Sequence, residues 1–142
     1  MNKKYEMFKE KPTDELYRIR ALRDFGNIEA GDIGGYIEKE ENLSHDGNCW
    51  VYYDAKVYGD AKVCGHVEIY GNAEVYDGAK VHGEAKVYDG AKVHGWAEVY
   101  GNAEVCGWAE VYGNAKVYDN AKVDGWAEVY GNAKVYGEDK IY

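Results

Sequence analysis

Few side chains in this 142-residue chain can make or break bonds. The nitrogen bases are His45, His66, His82 and His94, and the thiols are Cys49, Cys64 and Cys106. Ser44 is the only serine and Thr13 the only threonine. A covalent mechanism needs a nucleophile with a base in hydrogen-bond reach, and no such pair is visible. A catalytic zinc needs three converging protein ligands. His66 falls at a corner of the pattern described below, and His82 and His94 fall on different faces, so no three histidines converge. The odd cysteine set has no metal-type spacing and reads as free thiols in a reducing cytoplasm. Catalytic residues, metal and cofactor are therefore expected to be absent.

The elements that must position these residues come from one repeat. From Val51 to Ile141 an aliphatic residue stands at every sixth position without an insertion. Two residues before it sits a small residue, Ala in 13 of 16 units, with Cys49, Val67 and Asp139 as the exceptions. The unit A-[KE]-V-Y-G-N alternates inward and outward residues with the period of a strand. Its last pair is rich in Gly, Asn and Asp, which tolerate positive φ and make corners. A glycine every six residues would cost a helix ~1 kcal/mol each time. Four-residue strands with corners at this period wind a solenoid, each strand pairing with the coil below at about 4.8 Å. Three units close a triangular coil of about 18 residues. The phrase GWAEVYGNA, at 95–103, 107–115 and 125–133, is this unit with Trp at a corner. Its copies at 107 and 125 lie over one another, and the copy at 95 lies on an adjacent face.

Sixteen in-phase units over 49–142 resemble the hexapeptide-repeat proteins. That resemblance implies an all-β, left-handed parallel β-helix. The N-terminal LYRIRALRDFGNIEAGDIGGYIEKEENLSHDGNCWV resembles the leader of uncharacterised hexapeptide-repeat proteins of bacteria and their phages, some of them labelled acyltransferases. The expected division is an N-terminal cap over 1–48 and a repeat domain over 49–142. LYRIRAL reads as a strand and GDIGGYI as a turn into the first irregular coil. The family's two chemistries, acyl transfer and zinc-dependent hydration, both rely on histidine. Its acyltransferases usually carry a loop extruded from a coil, and 51–141 has none.

Folded at 18 residues, the chain shows three faces. Face one carries outward Trp50, Glu68, Lys86, Glu104, Lys122 and Lys140; face two carries Lys56, Glu74, Lys92, Glu110 and Glu128. Both read as sign-alternating ladders that fix register. Face three, with Lys62, Lys80, Glu98, Lys116 and Lys134, is basic and flanked by Tyr100, Tyr118 and Tyr136. It suits an anionic strand or an acidic protein, or is simply a tyrosine ladder like those of the other faces. Asp139 at an inward position either deters end-to-end strand addition or marks a frayed last coil.

The net charge of −9 argues against duplex DNA as partner, which wants a basic surface. Corner acids, including Asp77, Glu84 and Asp89, suggest imitation of nucleic acid. No apolar stretch reaches the ~20 residues of a membrane span, and MNKKYEMFKEK has no signal-peptide core, so a cytoplasmic protein is expected. Corner residues Trp96, Trp108 and Trp126 read as contacts for a partner, the alternative being that each ring folds back onto Tyr. The expected function is non-enzymatic binding of a protein, in a concrete form a phage-type inhibitor of a host nuclease or defence complex. The alternatives are self-assembly into a homodimer or homotrimer and a degenerate acyltransferase.

Overall fold

The computed structural model of the protein describes residues 3–142. Met1 and Asn2, counted in the expected cap, lie outside the described residues. These contain 19 strands, numbered along the chain, one 3₁₀ turn at Glu40–Asn42 and no α-helix. Three sheets wrap a triangular core in which neighbours along each sheet are 18 residues apart. Face one holds β4 (Trp50–Val51), β7 (Glu68–Ile69), β10 (Lys86–Val87), β13 (Glu104–Val105), β16 (Lys122–Val123) and β19 (Lys140–Ile141). Face two holds β5 (Lys56–Val57), β8 (Glu74–Val75), β11 (Lys92–Val93), β14 (Glu110–Val111) and β17 (Glu128–Val129). Face three holds β6 (Lys62–Val63), β9 (Lys80–Val81), β12 (Glu98–Val99), β15 (Lys116–Val117) and β18 (Lys134–Val135). All these pairings are parallel, as in Val87 over Ile69 and under Val105. The aliphatic rows are buried through Val135, and Ile141 is 37% exposed.

The strands are shorter than the four residues expected, because most corners close early. The N–H of the inward Ala donates to the Tyr carbonyl three residues before it, as from Ala79 to Tyr76 at 3.3 Å. Ala and Tyr still join the ladder at its ends: Lys56 N–H donates to Ala73 O, and Tyr58 N–H to Val75 O, both at 3.0 Å. The residue after the Tyr position has φ near +60° at every corner. It is usually Gly, but Tyr53, Asp77, Asp89 and Asp119 take it at φ 57–58°. Each of the three Asp carboxylates accepts the N–H of the corner residue 18 positions on, Gly95, Gly107 and Gly137, at 3.0 Å. Asp offsets the cost of left-handed backbone by satisfying the next coil. Asp139 is exposed, yet its carbonyl accepts the Lys122 N–H at 2.9 Å, so the last unit stays in its ladder.

The first strands build on face two. β1 (Tyr5–Phe8) and β2 (Tyr17–Ala21) are antiparallel; β3 (Ile33–Ile37) joins β2 antiparallel and β5 parallel. GDIGGYI is thus mainly a strand, not the turn its glycines suggest. A β-carbon on Gly34 would stand 2.5 Å from Val51 O, and one on Gly35 2.5 Å from Ala55 O. These glycines permit close approach of backbones; the turn is made by Gly31 at φ +96°. The same region buries Trp50, which face-one periodicity places outward. Tyr5 and Phe25 cover it edge-on, at centroid distances of 6.3 and 5.2 Å.

Lys4 lies fully buried, its ammonium 4.9 Å from the centroid of Phe25. Its ammonium donates to Cys49 O at 2.6 Å and Gly47 O at 3.3 Å, and its Nζ is 3.3 Å from Cys49 Sγ. Burial holds the Lys4 amine below its usual range and the Cys49 thiol above it. His45 stacks on Tyr5 at 4.1 Å, and its Nδ1 accepts the Lys4 N–H.

Candidate interaction surface

Where the outward residue after the aliphatic position is aromatic it stacks on its neighbours, because a parallel ladder sets identical positions one strand spacing apart; Cys64, Cys106 and Asp124 interrupt the rows. On face two the stack runs Tyr58, Tyr76, His94, Tyr112, Tyr130, with centroids 4.7–5.5 Å apart. Face three stacks His82, Tyr100, Tyr118 and Tyr136 at 4.9–5.5 Å. Tyr70 and Tyr88 stack on face one at 4.8 Å. The Tyr100–Tyr118–Tyr136 row is therefore the same device on all three faces, which favours its structural reading.

The glutamates serve these stacks. Tyr58 donates to Glu74, Tyr88 to Glu104 and Tyr112 to Glu128, at 2.7, 2.7 and 3.1 Å. Burial, reinforced by the Glu104 bond, pushes the Tyr88 phenol up; for Tyr112 the Glu128 hydrogen bond is the main cause. The sign-alternating ladder is real but incomplete. Lys86 lies between Glu68 and Glu104, and Lys92 between Glu74 and Glu110. Like charges oppose at Glu110/Glu128, Lys122/Lys140, Lys116/Lys134 and Lys62/Lys80. Opposed like charges are unfavourable, so ladder charge alone does not set register; buried valines do.

The corner tryptophans do not fold onto tyrosines. Trp96, Trp108 and Trp126 are 71%, 58% and 77% exposed. Trp96 lies over Gly78 and Trp108 over Gly90; a β-carbon on either glycine would stand 2.3 Å from the ring. Trp126 has no glycine beneath it and stacks on Trp108 at 5.8 Å. Gly78 and Gly90, on which two of these rings rest, are the residues of this surface that sequence reading missed. The signal was present: Asp-Gly replaces the usual Gly-first order 18 residues before Gly-Trp. Of the corner acids singled out, Asp77 and Asp89 are tied to the next coil, and Glu84 is simply exposed.

The histidines stay apart in role. His94 sits in its stack with Nδ1 3.7 Å from Asp77 and Nε2 3.4 Å from Glu110. His82 is 3.8 Å from Glu98, and His66 is exposed at a corner. Among the described residues no group of His, Cys, Asp and Glu could hold a metal ion. Cys49 and Cys106 are buried and Cys64 exposed. A cleft of about 690 Å³ lies between the β1–β2 connection and face two. Glu10, Asp14, Glu15, Asp54 and Glu74 make it acidic, with Lys11 and Lys56. No described helix is long and apolar enough to cross a membrane.

No family model matches the chain. Over 52 residues it is 40% identical to the uncharacterized acetyltransferase YdcK of Escherichia coli (strain K12). Those residues are 36% of this chain and 16% of that protein, so the chain spans about a sixth of that relative's length. Hexad period, 18-residue coils and this partial likeness together fit a hexapeptide-repeat protein.

Proposed function

We propose that this protein is a non-catalytic binding protein that presents aromatic corners to a protein partner. The carrying observation is the exposure of Trp96, Trp108 and Trp126 on a backbone hydrogen-bonded coil to coil. Exposed Trp on a rigid element contributes large contact area at small entropic cost. A concrete form, suggested by the phage-type leader, is an inhibitor of a host nuclease or defence complex, with exposed corner acids such as Glu84 standing in for phosphates. Capture on immobilised protein from bacterial lysate tests this reading. A partner retained by the native chain and lost when all three Trp are changed to Ala is the expected result. No saturable partner at micromolar concentration would sink it.

The likeness to an acetyltransferase favours one other reading, a degenerate acyltransferase that keeps cofactor affinity. Calorimetry with acetyl-coenzyme A decides it: heat of binding at millimolar ligand supports this alternative, and none removes it.

A further inference from the structure

GWAEVYGNA occurs three times, but only the copies at 107 and 125 stack, and this makes a surface that the third copy lacks. In the copy at 95, Glu98 lies in register between Lys80 and Lys116. In the stacked pair, Glu110 lies between Lys92 and Glu128. The carboxylate row is therefore doubled where the Trp row is doubled. Along each coil the order is Trp, inward Ala, Glu, inward Val, Tyr. Two parallel aromatic stacks result: Trp108 on Trp126 at 5.8 Å, and Tyr112 on Tyr130 at 5.5 Å. The Glu110–Glu128 pair lies between them. Tyr112 holds one oxygen of Glu128, and His94 approaches Glu110 at 3.4 Å. Neither carboxylate has a Lys or Arg within ion-pair reach among the described residues.

We propose that this patch binds an arginine-bearing extended segment of a protein partner, its guanidinium heads on Glu110 and Glu128 and their stems along the two aromatic stacks. The assignment rests on the binding reading above and names its chemistry. Two in-register carboxylates repel each other, and a cation between them removes that cost. A guanidinium within about 6 Å of an indole or phenol face gains further attraction. A planar guanidinium stacks on rings and bonds carboxylates in a fork, which an ammonium does not. The two units lie one ladder spacing apart, about 4.8 Å, within reach of two flexible side chains on the same side of one extended peptide.

The test is fluorescence titration, at physiological ionic strength, with a hexa-arginine peptide, a hexa-glutamate peptide and spermine. The expected result is saturable quenching by hexa-arginine and none by hexa-glutamate. Affinity should fall about tenfold or more in Glu110→Gln/Glu128→Gln, and similarly in Trp108→Ala/Trp126→Ala, which lacks the reporter rings and is therefore read by calorimetry. Glu98→Gln, the same change on face three where the carboxylate lies between Lys80 and Lys116, should bind like the native chain. Absence of saturable binding, equal binding by the double Gln variant, or spermine binding as tightly as the peptide would each overturn the assignment. If capture of a lysate partner still depends on Trp108 and Trp126 while hexa-arginine fails, the cationic chemistry is refuted and the wider binding reading survives.

Discussion

The six-membered ring of Trp96 fills the space that a β-carbon on Gly78 would need, a carbon that would stand 2.3 Å from the ring. The obstructing atoms belong to an exposed side chain, not to backbone, so the ring can yield. Gly78→Ala should leave stability within about 0.5 kcal/mol of native while lifting the indole into solvent. Greater acrylamide quenching of Trp emission, with an unchanged melting curve, is the expected observation.

Gly95 is the contrasting case. It has φ +65°, and its β-carbon would meet the Gly113 nitrogen at 2.8 Å, so backbone must shift. Gly95→Ala should cost about 1–3 kcal/mol, read from urea unfolding alongside Gly78→Ala. Equal costs for the two would contradict the assignment of one glycine to a ring and the other to a corner.

Asp89 holds both a left-handed corner, φ 58°, and the Gly107 N–H. Asp89→Gly keeps the conformation and loses the bond; Asp89→Ala loses both. The second should be less stable than the first, by about 1 kcal/mol. Asp89→Asn keeps an acceptor and tolerates the same backbone, so it should lie nearest the native protein.

Buried Lys4 satisfies two backbone carbonyls, Gly47 O and Cys49 O. Replacing it with Met of similar length strands both acceptors, at a cost of about 1–3 kcal/mol. Denaturant unfolding should show that loss, whereas Lys9→Met on the exposed surface should change little.

His45 predicts the pH dependence. Burial lowers its pKa, and Lys3, Lys4 and Arg23 act in the same sense against the opposing pull of Glu40. Below the ordinary histidine value the unfolded chain gains a proton that the folded chain resists. Stability should therefore be full above about pH 6.5 and fall as pH drops from there toward the folded pKa. His45→Asn, which keeps an acceptor for the Lys4 N–H, should flatten the melting temperature between pH 7 and 5.5. An unchanged slope would show that another group carries it.

The repeat was legible because its signal is strictly local. One aliphatic residue every six positions and a corner pair after each Tyr fix coil length, face and stacking partner, and Val87 lies between Ile69 and Val105 as the period requires. The N-terminal region was less legible because its contacts are distant in sequence. Trp50 looks outward by period, and only Tyr5 and Phe25 bury it. Gly34 and Gly35 read as turn residues, and only the approach of Val51 and Ala55 shows why they are glycine. At the candidate surface the Trp row was visible from spacing. The doubled Glu row was also in the sequence, but that neither carboxylate forms an ion pair with Lys or Arg among the described residues is a three-dimensional fact.

The central claim, that Trp108 and Trp126 form a partner-binding corner, is tested most directly by photocrosslinking. A benzophenone amino acid placed at position 126, and in a separate protein at His66 on an exposed corner without tryptophan, is irradiated in bacterial lysate. The account predicts a discrete protein adduct from position 126 and none from position 66. Adducts of equal yield from both positions, or none from either, would contradict it.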